Sequence, residues 1–123
     1  MERWLAERFL TWNLSDRTAF AVDLVINEAL TNLISYAYSD AEPHEIVLTV
    51  TDSADAVTVE IVDDAHPFNP FEARAATAAA DLEHASIGGR GLLLIEAYSH
   101  DYDYSRVTDR NRLTLVVRKD RGG

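Results

Sequence analysis

Residues 46–64 read IVLTVTDSADAVTVEIVDD, and this stretch decides the fold. Ile46, Leu48 and Val50 alternate with Val47, Thr49 and Thr51, and Val57, Val59 and Ile61 alternate with Thr58 and Glu60. A period of two is the mark of a strand with one covered face, and Asp52-Ser53-Ala54-Asp55 between the runs has turn chemistry. Two antiparallel strands follow, the second running straight into Asp63-Asp64. Downstream, Tyr102–Val107 and Leu113–Arg118 repeat the pattern around a turn at Thr108–Asn111. Upstream the period changes to that of a helix. Leu5, Phe9 and Trp12 share one face of a first helix. Ser15 or Asp16 then caps a second helix, Arg17 to Tyr38, with Val22, Ile26, Ala29, Leu30 and Leu33 as its apolar stripe. Leu92–Tyr98 forms another apolar helix, introduced by Gly88-Gly89-Arg90-Gly91. Strands paired with their sequence neighbours, and helices able to stack on one face, predict a two-layer α+β sandwich with a mostly antiparallel sheet.

The chain of 123 residues is read as one domain, 1–123, with 47% apolar residues, enough for a core. Its net charge of −10 argues against nucleic acid and anionic membrane surfaces as partners. No stretch has the length of a membrane span, and Met1–Trp12 carries charges instead of a leader's apolar core. Cysteine is absent and the four histidines are scattered, so disulfide, thiolate and zinc chemistry are not expected. These features fit a soluble, cytoplasmic protein. Residues 70–87, including the alanine-rich Ala73–Ala80, read either as a weakly anchored mobile segment or as a plain surface helix. Residues 1–13 carry Trp4, Leu5, Phe9 and Trp12, which serve either an interface or the domain's own core.

Three constellations could carry chemistry. Glu28 and Asn32 are one helical turn apart, so they share a face. An amide oxygen suits a hard cation that keeps most of its waters, and a carboxylate one turn away could take a proton from a hydroxyl. At the end of the second strand, Asp63 could accept a hydrogen bond from an exocyclic amine. Gly88-Gly89-Arg90-Gly91 would let backbone N–H groups approach a polyphosphate at a helix start, with Arg90 adding positive charge. Its spacing is neither that of a P-loop nor that of the dinucleotide fingerprint.

Taken together and in this order, these motifs resemble the nucleotide-binding boxes of the GHKL (Bergerat-fold) ATPases. Glu28-Ala-Leu-Thr-Asn32 looks like the N box, Asp63-Asp-Ala-His-Pro-Phe68-Asn-Pro70 like the G1 box, and Gly88-Gly-Arg-Gly91-Leu-Leu-Leu-Ile95 like the G2 box. Within that superfamily the chain is most similar to bacterial anti-sigma-factor serine/threonine kinases, from about Arg17 to Arg118. The resemblance implies ATP and Mg²⁺ as cofactors. It implies Glu28 as general base, Asn32 as the metal-holding residue and Asp63 as the acceptor of the adenine amine. Gly89, Arg90, Gly91 and Leu92 would lie at the phosphates, Thr114 near adenine, and residues 70–87 would be an ATP lid. Ala65 stands where the G1 box normally has glycine, beside the nucleotide, and Tyr36 where a histidine usually ends the N-box helix. The implied activity is phosphorylation of a serine or threonine on a STAS-domain antagonist, with a sigma factor or other output protein as further partner; a homodimer is expected separately, from the apolar Trp4, Leu5, Phe9 and Trp12 of the first helix. The alternative is a nucleotide-gated adaptor that binds its partner without phosphorylating it.

Overall fold

The computed structural model describes residues 3–34, 45–65, 67, 69, 71 and 87–119. Among the described residues the elements follow in this order: α1 (Arg3–Thr11), α2 (Asp16–Asn32), β1 (Ile46–Asp52), β2 (Ala56–Asp63), α3 (Ile87–Tyr98), β3 (Asp101–Val107) and β4 (Arg110–Arg118). The strands form one antiparallel sheet in the order β1-β2-β4-β3. Helices α2 and α3 pack on each other, and α2 lies against the two central strands. The two-layer α+β reading holds.

Local chemistry explains the joints. Asn13 has φ of 53°, the Leu14 N–H reaches the Phe9 carbonyl at 3.1 Å, and the Asn13 N–H reaches Leu10 at 3.1 Å. This paired closure at a left-handed residue ends α1, with Leu14 packed beside the same core that buries Phe9. Ser15 is the cap of α2, its hydroxyl accepting from the Thr18 N–H at 3.1 Å. Leu5 and Phe9 are buried in the domain's own core and Trp12 packs against it, whereas Trp4 stays 45% exposed. The predicted end of α2 at Tyr38, Tyr36 itself and the lid helix lie outside the described residues.

The core is the meeting of apolar stripes. Val22 and Val25 of α2, Val57 and Val59 of β2, and Leu115 of β4 are wholly buried. Each such side chain contributes roughly 1.5–3 kcal/mol relative to exposure. One joint works against the fold. Thr108 and Asp109 link β3 to β4 with φ of 46° and 61°. A two-residue hairpin turn with both φ positive suits Asn-Gly, not a β-branched residue. Replacing Thr108-Asp109 by Asn-Gly should therefore raise stability by about 1 kcal/mol, read as a melting temperature several degrees higher.

Candidate nucleotide site

The site arises where three apolar stripes end in a polar residue. Along β2 the buried positions are Val57, Val59, Ile61 and then Asp63. Along β4, Asn111 precedes Leu113, Leu115 and Val117 on the covered face, and both Asn111 and Asp63 are only 3% exposed. Along α2, the stripe through Val22, Val25, Ile26 and Ala29 reaches Asn32, which is 6% exposed. A polar group at the end of a buried stripe is costly unless something answers it.

These ends converge on a cleft of about 380 Å³, open solvent included. Its apolar lining is Ala29, Leu33, Ile61, Ile95 and Leu113, and its polar lining is Asn32, Asp63, Tyr104 and Asn111. An apolar floor with a few convergent polar groups is the ordinary composition of a small-molecule site.

Asp63 and Asn111 are cross-strand partners in register. Asp63 Oδ1 accepts from Asn111 Nδ2 at 2.9 Å and from the Ala65 N–H at 2.9 Å. Both donors use one oxygen, so Oδ2 is left for a donor in the cleft. Asn111 Oδ1 accepts from the Tyr104 hydroxyl and from Arg106 Nη1, the latter at 3.2 Å. Arg106 Nη1 also donates to the Ala65 carbonyl at 2.8 Å. Across the cleft, Asn32 Nδ2 is buried with no hydrogen-bond partner. A half-turn of the amide exchanges its two ends, so it can present nitrogen or oxygen to a ligand.

The residues expected from the sequence fare differently. Asn32 and Asp63 line the same cleft. Glu28 is half-buried one turn before Asn32 and is not part of the lining. Ala65 is buried in the core and is not among the residues with positive φ. Its backbone therefore needs no glycine, and its N–H and carbonyl are tied into the Asp63 network.

Two expectations are corrected. Thr114 alternates with Leu113 and Leu115, so it faces away from the helices and the cleft, paired with Glu60 and Asp103. Asn111, not Thr114, is the β4 residue that lines the cleft beside Asp63. Its signal lay in the sequence, as a polar residue in register with the apolar alternation of β4. The Gly88–Gly91 stretch is not a loop before the helix, because α3 already begins at Ile87. Gly89, Arg90, Gly91 and Leu92 are thus inside its first turns. Helical dihedrals are open to glycine at a cost of about 1 kcal/mol per residue relative to alanine.

Among the described residues no three His, Asp or Glu side chains gather as a metal cage, and no helix is long and apolar enough to cross a membrane.

Comparison with known proteins bears on this geometry. The model of the histidine kinase-like ATPase domain family matches residues 1–117. The serine/threonine-protein kinase BtrW of Bordetella bronchiseptica is 33% identical over 113 residues, which span 92% of this chain and 80% of that protein. The histidine kinase domain of the blue-light activated histidine kinase EL346 of Erythrobacter litoralis superposes with a TM-score of 0.55 at 19% identity, over 82% of this chain and 44% of that one. A second structure of the same kinase gives 0.59 at 18% identity, over 85% and 31%. This chain spans less than half of either solved chain, and at such identity they speak for the fold. The sheet order, the cleft and the family match agree: the chain belongs to the histidine kinase-like ATPase domain family, the Bergerat-fold group that its three sequence boxes resemble.

Proposed function

We propose that the chain is an ATP·Mg²⁺-dependent protein kinase that transfers the γ-phosphoryl group to a serine or threonine of a small STAS-domain antagonist. The observation that carries the reading is the convergence of Asn32 and Asp63 on one cleft in a chain of this family. The type of kinase follows the name of the Bordetella relative. The STAS substrate and release of a sigma factor or other output protein follow the resemblance of the boxes, a cytoplasmic setting follows the composition, and a homodimer rests on the aromatic first helix, whose Trp4 is exposed.

In this reading the adenine ring lies on Leu33, Ile61 and Leu113, and its amine donates to Asp63 Oδ2. The phosphates extend toward the start of α3, where free N–H groups and the helix dipole favour anions. The unpartnered amide of Asn32 fits a hard cation that is otherwise held by phosphate oxygens and water. Such an ion supplies charge neutralisation on the phosphates. Glu28 takes the proton of the attacking hydroxyl as the oxygen–phosphorus bond forms and ADP leaves. The added phosphate, of charge about −1.5 to −2, then weakens the partner's hold on this acidic surface.

Asn32→Ala tests the reading. Calorimetry should show ATP affinity falling roughly tenfold with Mg²⁺ present and hardly at all with EDTA. Equal affinities of wild type and variant in Mg²⁺ would remove Asn32 from the site. Transfer of label from ATP to a candidate STAS protein distinguishes the kinase from the adaptor, which binds its partner only when nucleotide is present and yields no phosphoprotein.

A further inference from the structure

Arg106 and Tyr104 lie outside the three sequence boxes, yet they control the residue that controls Asp63. We infer that Tyr104 and Arg106, acting through Asn111, are positioning residues for base recognition and set the preference for a 6-amino over a 6-oxo purine nucleotide. The inference rests on the reading that Asp63 receives the amine of adenine.

The argument is one of hydrogen-bond polarity. An amide side chain has a donor end and an acceptor end, and its own shape does not decide which faces which neighbour. Arg106 can only donate. Its contact with Asn111 Oδ1 at 3.2 Å therefore fixes the oxygen end, and the Tyr104 hydroxyl donates to the same atom. Asn111 Nδ2 must then face β2, where it meets Asp63 Oδ1 at 2.9 Å. Arg106 also holds the Ala65 carbonyl at 2.8 Å, which keeps the Ala65 N–H on that same oxygen at 2.9 Å. Two donors saturate Oδ1 and fix the carboxylate plane, and Oδ2 is presented to the cleft as a pure acceptor. A 6-amino purine offers a donor there. A 6-oxo purine brings an oxygen against a carboxylate oxygen, which is repulsive. Without Arg106 and Tyr104 the amide and the carboxylate can turn, and the acceptor is no longer held in the ring plane. Arg106 is suited to this because its strand position is directly opposite Asn111, while Tyr104 lies two residues along on the same face of β3.

The test is a binding titration with ATP and with inosine triphosphate, which differ at the 6-position of the ring. Wild type should prefer ATP. Tyr104→Phe and Arg106→Met should each reduce the ATP-to-ITP affinity ratio about threefold, and the double variant about tenfold, through loss of ATP affinity with ITP little changed. Arg106→Lys, which keeps a cation that can only donate, should retain most of the ratio. Circular dichroism of each variant confirms that a folded protein is being titrated. Equal losses for both nucleotides, or an unchanged ratio in the double variant, overturn the inference while leaving the ATP site in place. A wild type that binds both nucleotides equally overturns the Asp63 reading and the inference with it.

Discussion

Glu28→Gln should lower phosphoryl transfer by roughly 10²–10⁴-fold while leaving ATP affinity within about twofold of wild type. The separation follows from where the groups lie. The nucleotide's contacts are assigned to the cleft that Asn32, Asp63 and Asn111 line, and Glu28 stands outside that lining, one turn earlier on α2. Its carboxylate has no part in holding the base. In the proposed reading it serves the incoming hydroxyl, whose proton must leave as the new bond to phosphorus forms. Glutamine keeps the shape and cannot take a proton. Capture of the partner should persist, because the surface charge changes by one unit in a chain of net charge −10. Quenched-flow transfer of labelled phosphate, beside calorimetry of the same variant, reads both quantities. Transfer at the wild-type rate would reduce Glu28 to a solvated helix residue.

Asp63→Asn should invert base selectivity. The amide oxygen can replace Oδ1 and accept from Asn111 Nδ2 and the Ala65 N–H, so the loop and the strand pair stay satisfied. The amide nitrogen then occupies the place of Oδ2 and points a donor at the cleft. Adenine's amine now meets a donor, and ATP affinity should fall roughly 30–100-fold. The oxygen of a 6-oxo purine meets the same donor favourably, so ITP should bind at least as well as to wild type. Asp63→Ala is the harsher change. It leaves Asn111 Nδ2 and the Ala65 N–H buried without that acceptor, at about 1–3 kcal/mol each, and should unfold at lower temperature. Unchanged ATP affinity in Asp63→Asn would place the base elsewhere.

The sequence was most legible where periodicity met an exception. Val57, Val59 and Ile61 predict an apolar residue at 63, and a carboxylate there marks a site. Its neighbour Asp64 takes the opposite parity and is exposed. The same count along β4 points to Asn111, whereas the family resemblance points to Thr114, which lies on the other face of the strand. Motifs conserve residue type, but the parity of a strand decides which side chains reach the ligand. The glycine run is expected to lead into a helix at Leu92 because glycines let backbone N–H groups approach phosphate, whereas the helix already includes it from Ile87. On α1, a periodic apolar face announces burial without saying against what. Leu5 and Phe9 turn out to serve the core, which leaves Trp4 as the aromatic residue of α1 available to a homodimer. Tyr104 and Arg106 were illegible because their importance comes from long-range register: Arg106 lies 41 residues from the Ala65 carbonyl it holds.

The most direct test is a ¹⁵N-resolved NMR titration of the wild-type chain with ATP, first in EDTA and then with Mg²⁺. Binding in the micromolar to sub-millimolar range is expected, an order of magnitude natural to a partly open phosphate site. The side-chain amide of Asn111 and the backbone amide of Ala65 should shift with ATP alone, because both bond the carboxylate assigned to the base. The Asn32 side-chain amide should shift strongly only when Mg²⁺ is added. No shifts at millimolar ATP and Mg²⁺, or shifts confined to residues outside the Asn32–Asp63–Asn111 cleft, would contradict the assignment.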